Sequence, residues 1–193
     1  MDFIFFFNSI LLGFGLAMDA FSVSLANGLN EPSMKPKKMI LVSGVFGVFQ
    51  GLMPLIGWIC VHTLIEYFTA FEKFIPWIAL ILLSFIGSKM LIEGIKCKTE
   101  GNCSLKSLTF TALLTQGVAT SIDALSVGFT IAEYNFLSAL TSVFIIAIVT
   151  FAICYLGIYL GKKFGTVLSG KAGILGGVIL IFIGIEIFIT GII

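Results

Sequence analysis

The stretch FIFFFNSILLGFGLAMDAFSVSLA (3–26) carries one acidic residue, Asp19, in an otherwise uncharged apolar run, and SLTFTALLTQGVATSIDALSVGFTI (107–131) repeats the arrangement around Asp123. About 20 apolar residues span roughly 30 Å of hydrocarbon as a helix, so both aspartates fall at bilayer depth. An ionised carboxylate there costs about 2.5–3.5 kcal/mol on insertion scales and is kept only where something pairs with it. The chain contains no arginine and its lysines lie almost wholly between the apolar runs. The natural partner of the two carboxylates is therefore a cation.

Working outward, the 193 residues are 59% hydrophobic and 11% charged, with mean hydropathy +1.15, values that no water-soluble domain of this size shows. Six apolar runs stand out, at about 3–26, 39–61, 74–95, 107–131, 136–160 and 172–193. None alternates apolar and polar residues as a lipid-facing barrel strand does. The expected class is an all-α integral membrane protein of six transmembrane helices, one membrane domain over 1–193. With a net charge of +1, nucleic acid is not an expected partner; the lipid bilayer is.

Charge sets the orientation. The first, third and fifth connections carry Lys35, Lys37, Lys38; Lys96, Lys98, Lys106; and Lys162, Lys163, Lys171, whereas the opposite side offers Asp2, Glu66, Glu72, Glu133 and a single Lys73. The positive-inside rule makes the lysine-rich side cytoplasmic and predicts a multi-pass chain with both termini outside. The first run lacks a basic n-region and a small-residue cleavage site, so it reads as a retained helix and not a leader. Cys97 and Cys103 would face a reducing cytosol, where a disulfide is not expected, and Cys60 and Cys154 fall within spans.

MDAFSVS (18–24) aligns with IDALSVG (122–128), and IGSKMLIEGI (86–95) with IGIEIFITGI (183–192). The chain thus divides into three-helix repeats, 1–96 and 107–193, joined by a cytoplasmic loop at 97–106. Three spans per repeat force the second copy to enter the membrane from the opposite face, the inverted-topology design of secondary transporters. Each aspartate lies about 6 Å from the centre of its span, on opposite sides of the midplane.

Helical spacing gives the neighbours. Gly15, Asp19, Ser22 and Ala26 share a face, as do Gln116, Thr120, Asp123, Ser126 and Thr130. The hydroxyls and the amide are hard oxygen donors, although Ser and Thr in membrane helices commonly bond their own backbone. Gln50 sits mid-span near Pro54, which frees a carbonyl of the preceding turn. Within the third span Lys89 has Glu93 one turn on, with Glu186 at the repeat-equivalent place; an ion-pair tie or a place in the ion path are both open. GVFQG (47–51), GIYLG (157–161) and GILGG (173–177) read as packing faces. Phosphate-binding glycine loops, HExxH and CxxC are missing, and the chain reads as no enzyme.

MDAFSVS with ATSIDALSVG, FGVFQGLMPLIGW (46–58), IGSKMLIEGI and KAGILGG (171–177) together resemble the MntP-type manganese efflux pump family of the lysine-exporter superfamily. The resemblance spans nearly the whole chain and implies a six-helix exporter in the cytoplasmic membrane of a bacterium, with Mn²⁺ as transported substrate, no cofactor, and Asp19 and Asp123 at the family's intramembrane aspartates. The chain departs from the family pattern at Gln50 and Gly173, where that pattern carries carboxylates. Ser22, Gln50, Gln116, Thr120, Ser126, Glu186, Lys89 and Glu93 are candidates for the ion path. Proton-coupled alternating access is the expected mechanism, with H⁺ as second substrate and glycine faces open to homo-oligomer packing. Two other classes stay open. One is an exporter of a small organic cation or basic amino acid. The other is an intramembrane aspartyl protease, against which the missing GxGD run and the repeat symmetry both speak.

Overall fold

The computed structural model describes residues 3–63, 75–100, 108–132, 134–167 and 172–192. Among them the chain forms seven helices and no strand: α1 (Phe3–Asn30), α2 (Pro36–Thr63), α3 (Ile75–Glu100), α4 (Phe110–Ser121), α5 (Ala124–Thr130), α6 (Phe136–Val167) and α7 (Ala172–Ile192). Phe3–Asn30, Pro36–Cys60 and Phe136–Gly165 are each long and apolar enough to cross a membrane. α3 runs on to Glu100, through the first residues of the segment expected to be a loop, and 101–107 lie outside the described residues.

The molecule is built inside out relative to a soluble protein. Phe3, Ile4, Phe85, Leu137 and Phe144 point outward, each at least 65% exposed, while Asn27, Gln50, Gln116, Thr120, Ser142 and Thr150 are buried. Apolar exposure on this scale is tolerable only in lipid, and buried polar groups between helices act there as glue.

Glycine decides how close the helices come. Gly28 of α1 and Gly161 of α6 face each other, and a Cβ on Gly161 would stand 3.0 Å from the Gly28 Cα. Gly57 of α2 meets Gly128 of α5 in the same way, at 3.1 Å. Backbone lies on both sides of these contacts, so nothing can yield to a larger side chain. The GxxxG pairs Gly47/Gly51 and Gly157/Gly161 sit against α6 and α1, and Gly177 sits against Gly87 and Leu91 of α3, as packing faces should.

The same contacts give directions. Gly13 meets Ile146 and Val149 while Gly157 meets Phe21, so α1 and α6 run parallel. Gly47 meets Phe151 while Gly51 meets Val143, so α2 and α6 run antiparallel. Gly117 meets Phe49 and Gly57 meets Leu125, so α2 is parallel to α4 and α5; Gly87 meets Ile181 and Gly177 meets Leu91, so α3 and α7 are antiparallel. Lys162 Nζ donates to the Met34 carbonyl, which gathers Lys35, Lys37, Lys38, Lys162 and Lys163 at one end of the bundle. The far end is aromatic: Trp58 Nε1 donates to the Tyr134 carbonyl at 3.1 Å, and the Tyr134 ring packs at a tilt against Phe5 with ring centres 5.4 Å apart. Lysine at one end and Trp/Tyr at the other is the distribution of a chain anchored across a bilayer.

A candidate ion site inside the bundle

The run 107–131, expected as one helix, is two. α4 stops at Ser121 and α5 starts at Ala124, with Asp123 in the break. Two consecutive hydroxyls precede it: Thr120 Oγ1 donates to the Gln116 carbonyl at 2.9 Å and Ser121 Oγ to the Gly117 carbonyl at 2.6 Å. Such back-bonding bends helices. Across the break the backbone tightens to i→i+3 bonds, Leu125 N–H to the Ile122 carbonyl at 3.3 Å and Ser126 N–H to the Asp123 carbonyl at 3.0 Å, as the ends of helices do.

The break presents Asp123 to the interior. Its Oδ1 is buried with no hydrogen-bond partner, and the Ala124 N–H bonds the carboxylate. Asp19, half-buried on the unbroken α1, lies within electrostatic reach of it. α1 and α4 run antiparallel, since Glu31, just past α1, accepts from the N–H of Leu108, just before α4, at 3.0 Å while Asn27 bonds Gln116. Moving back along α1 therefore means moving forward along α4, and that register sets Asp19 opposite Asp123.

Gln50 is a third candidate oxygen source. Its Nε2 donates to the Leu16 carbonyl of α1 at 2.8 Å, one turn before Asp19, and its Oε1 is buried and unpartnered. Pro54 lies inside α2 and has no N–H for the Gln50 carbonyl, so that carbonyl lacks its usual donor one turn on. A buried acceptor without a donor is costly, of the order of 1–3 kcal/mol, and Asp123 and Gln50 each carry one.

The other expected residues divide. Ser22 Oγ donates to the Met18 carbonyl at 3.1 Å, as Thr120 does to its own helix; the protons are spent on backbone and the oxygens keep their lone pairs. Ser126 is half-buried in α5. Gln116 is not free beside a carboxylate: it forms a reciprocal amide pair with Asn27, at 2.8 and 3.2 Å. Asn27 falls one residue past the apolar run 3–26, where no pattern in the sequence singles it out. Lys89 is exposed on α3, and the side chains of Glu93 and Glu186 lie outside the described residues. Among the described residues no group of three or more His, Cys, Asp or Glu gathers as a metal cluster. The candidate set is two carboxylates with neutral oxygens on neighbouring helices, donor types suited to hard divalent cations.

Comparison with known proteins places the chain in a family. Residues 33–188 match the family model described as "Putative manganese efflux pump". A protein of Ruminiclostridium cellulolyticum named "Putative manganese efflux pump MntP" is 47% identical, the alignment covering 93% of each chain. Proteins of the same name from Clostridium perfringens strain 13 and Clostridium botulinum strain Loch Maree are 42% and 43% identical over at least 92% of either chain. No solved structure matches. With the family model covering most of the chain and relatives this similar from end to end, the protein belongs to the MntP manganese efflux pump family.

Proposed function

We propose that this protein exports Mn²⁺ from the bacterial cytoplasm as a secondary transporter, with Asp19 and Asp123 as the carboxylates that hold the ion in transit. The observation that carries the reading is the buried, unpartnered Oδ1 of Asp123, at a helix break and within electrostatic reach of Asp19. A buried carboxylate oxygen that no donor of the fold satisfies is open to a cation. Two carboxylates neutralise one divalent ion, and Gln50 Oε1 and the Thr120 hydroxyl are neutral oxygens that complete its shell. Family membership supports manganese as cargo.

The architecture is six spans in two inverted repeats, with α4 and α5 forming the fourth. Helix direction supports it: α1 opposes α4, α2 opposes α6, and α3 opposes α7, so every span runs antiparallel to its counterpart in the other half. A discontinuous helix at the repeat interface is a recurring form of transporter substrate site. The lysine-rich end is cytoplasmic on the charge rule. Rocking of the halves exposes the site alternately to each side. After release, two bare carboxylates close together repel, and uptake of protons from outside resets the empty site, coupling export to H⁺ entry.

The test is metal content. Export-deficient cells expressing the chain and loaded with Mn²⁺, Mg²⁺, Co²⁺ or Zn²⁺ should lose Mn²⁺ selectively, and cells with the Asp19→Asn, Asp123→Asn form should lose none. Unchanged metal with the native chain in the membrane would overturn the reading.

A further inference from the structure

We infer that the cavity of about 450 Å³ between α1 and α5, whose walls include Asn8, Leu12, Gly15, Val127, Thr130 and Tyr134 beside two further leucines, is the aqueous vestibule through which the ion leaves the aspartate pair, and that Gly15 is the residue that keeps it clear. This deepens the export reading and rests on it.

The cavity ends at the right place. Gly15 lies one turn before Asp19 and Val127 one turn after Asp123; because α1 and the α4–α5 span run antiparallel, both turns are on the same side of the pair. Gly15 is exposed, and a Cβ placed on it would have nothing within 4 Å. Most of the other glycines in helix contacts are held by neighbouring backbone or side chains, so packing does not explain this one. Its open space stands over the Asp19 face.

The opposite side of the pair is shut. Asn27 and Gln116 close it with two hydrogen bonds. Beyond them Glu31 accepts from Lys38 Nζ at 2.6 Å and from the Leu108 N–H at 3.0 Å, tying the ends of α1, α2 and α4 together. The offset that relates Asp19 to Asp123 also relates Leu12 to Gln116 and Asn27 to Ile131. The same two repeat positions are thus an amide lock at the lysine end and, at the other end, Leu12 packed against the cluster of buried Ile131. The molecule is open on one side of the carboxylates and latched on the other, as a single state of an alternating-access cycle must be.

A second cavity of about 500 Å³ supplies the contrast. It lies between α2 and α6 with walls that include Val48, Leu52 and Phe144, and its one polar residue, Thr141, spends its hydroxyl on the Leu137 carbonyl at 2.8 Å. That groove is a lipid seat.

The experiment places single cysteines in native membranes, in a chain whose Cys60, Cys97, Cys103 and Cys154 are replaced by Ala, and measures their reaction with a positively charged methanethiosulfonate. Gly15→Cys and Thr130→Cys should react about a hundredfold faster than Val48→Cys, because a charged reagent is excluded from hydrocarbon. Equal, slow rates would make the cavity a lipid groove and overturn the inference. In the second arm, reagent attached at Gly15→Cys after folding, or Gly15→Leu, should stop Mn²⁺ export while the protein level is unchanged; export at the native rate in the modified chain would also overturn it. The labelling arm needs no transport, so a native chain that exported nothing would sink the export reading by itself, while the rates still decided whether the cavity holds water.

Discussion

α1 passes Asp19 as one unbroken helix of 28 residues, whereas the matching stretch of the second half stops at Ser121 and restarts at Ala124. The two motifs share Asp, Ala, Ser and Val in register, so local propensity does not separate them. What differs is the preceding turn. Before Asp123 stand Thr120 and Ser121, both bonding backward to carbonyls; at the matching places before Asp19 stand Leu16 and Ala17, which have no hydroxyl to offer. One carboxylate therefore projects from a helix whose peptide groups bond one another. The other sits where peptide groups are released, and its buried Oδ1 finds no partner. Near-symmetric sequence has yielded an asymmetric pair, with the unpartnered buried oxygen on Asp123.

The largest effect expected is at the carboxylates themselves. Asp123→Asn should reduce Mn²⁺ export to the level of cells lacking the chain, with membrane protein amount unchanged; Asp19→Asn should do the same if the two share one ion. Residual export in Asp19→Asn alone, read as cellular manganese, would sharpen the comparison by showing that the broken helix holds the ion without help.

Next come the glycine contacts that fix each carboxylate-bearing helix. Gly128→Leu and Gly28→Leu both drive a side chain into facing backbone, and their cost should reach or exceed the upper end of the ~1–3 kcal/mol of ordinary overpacking. Loss of folded protein in detergent melts is the readout. A well-folded Gly128→Leu would break the view that α5 is pinned to α2.

The amide pair between α1 and α4 ranks third. Asn27→Leu strands the buried Gln116 amide and should cost about 1–3 kcal/mol, whereas Asn27→Leu with Gln116→Leu should cost less than the two single changes together. Additive costs would mean that the hydrogen bonds do not couple the helices.

The smallest effects separate the hydroxyls. Ser22→Ala, on the unbroken helix, should alter stability by less than ~0.5 kcal/mol and leave export intact. Ser121→Ala removes one of the bonds that end α4 and should lower export severalfold without loss of protein. Equal behaviour of the two serines would remove the physical cause assigned to the break.

Much of the molecule was legible in one dimension. Hydropathy announced a helical membrane protein, the GxxxG runs announced packing faces, and the duplicated aspartate motif picked out the two carboxylates that the fold brings within reach of each other. Resemblance of the motifs to a manganese exporter family agreed with the family match found over residues 33–188. Other elements were misread or unseen. Gln116 looked like an oxygen donor beside Asp123 and is instead held by Asn27. Run 107–131 looked like a single helix because none of its residues is a proline and its glycines stand outside the break.

By itself the sequence determined which segments leave water and which charges go with them, since transfer of side chains to lipid depends on composition and length alone. Tertiary structure decided where a helix may break, which buried amide finds a partner and which buried oxygen is left without one. Those outcomes turn on hydrogen bonds between residues far apart in the chain, Asn27 with Gln116 and Gln50 with Leu16 among them. In a medium with no water to stand in, each polar group is satisfied only by whatever neighbour the packing delivers.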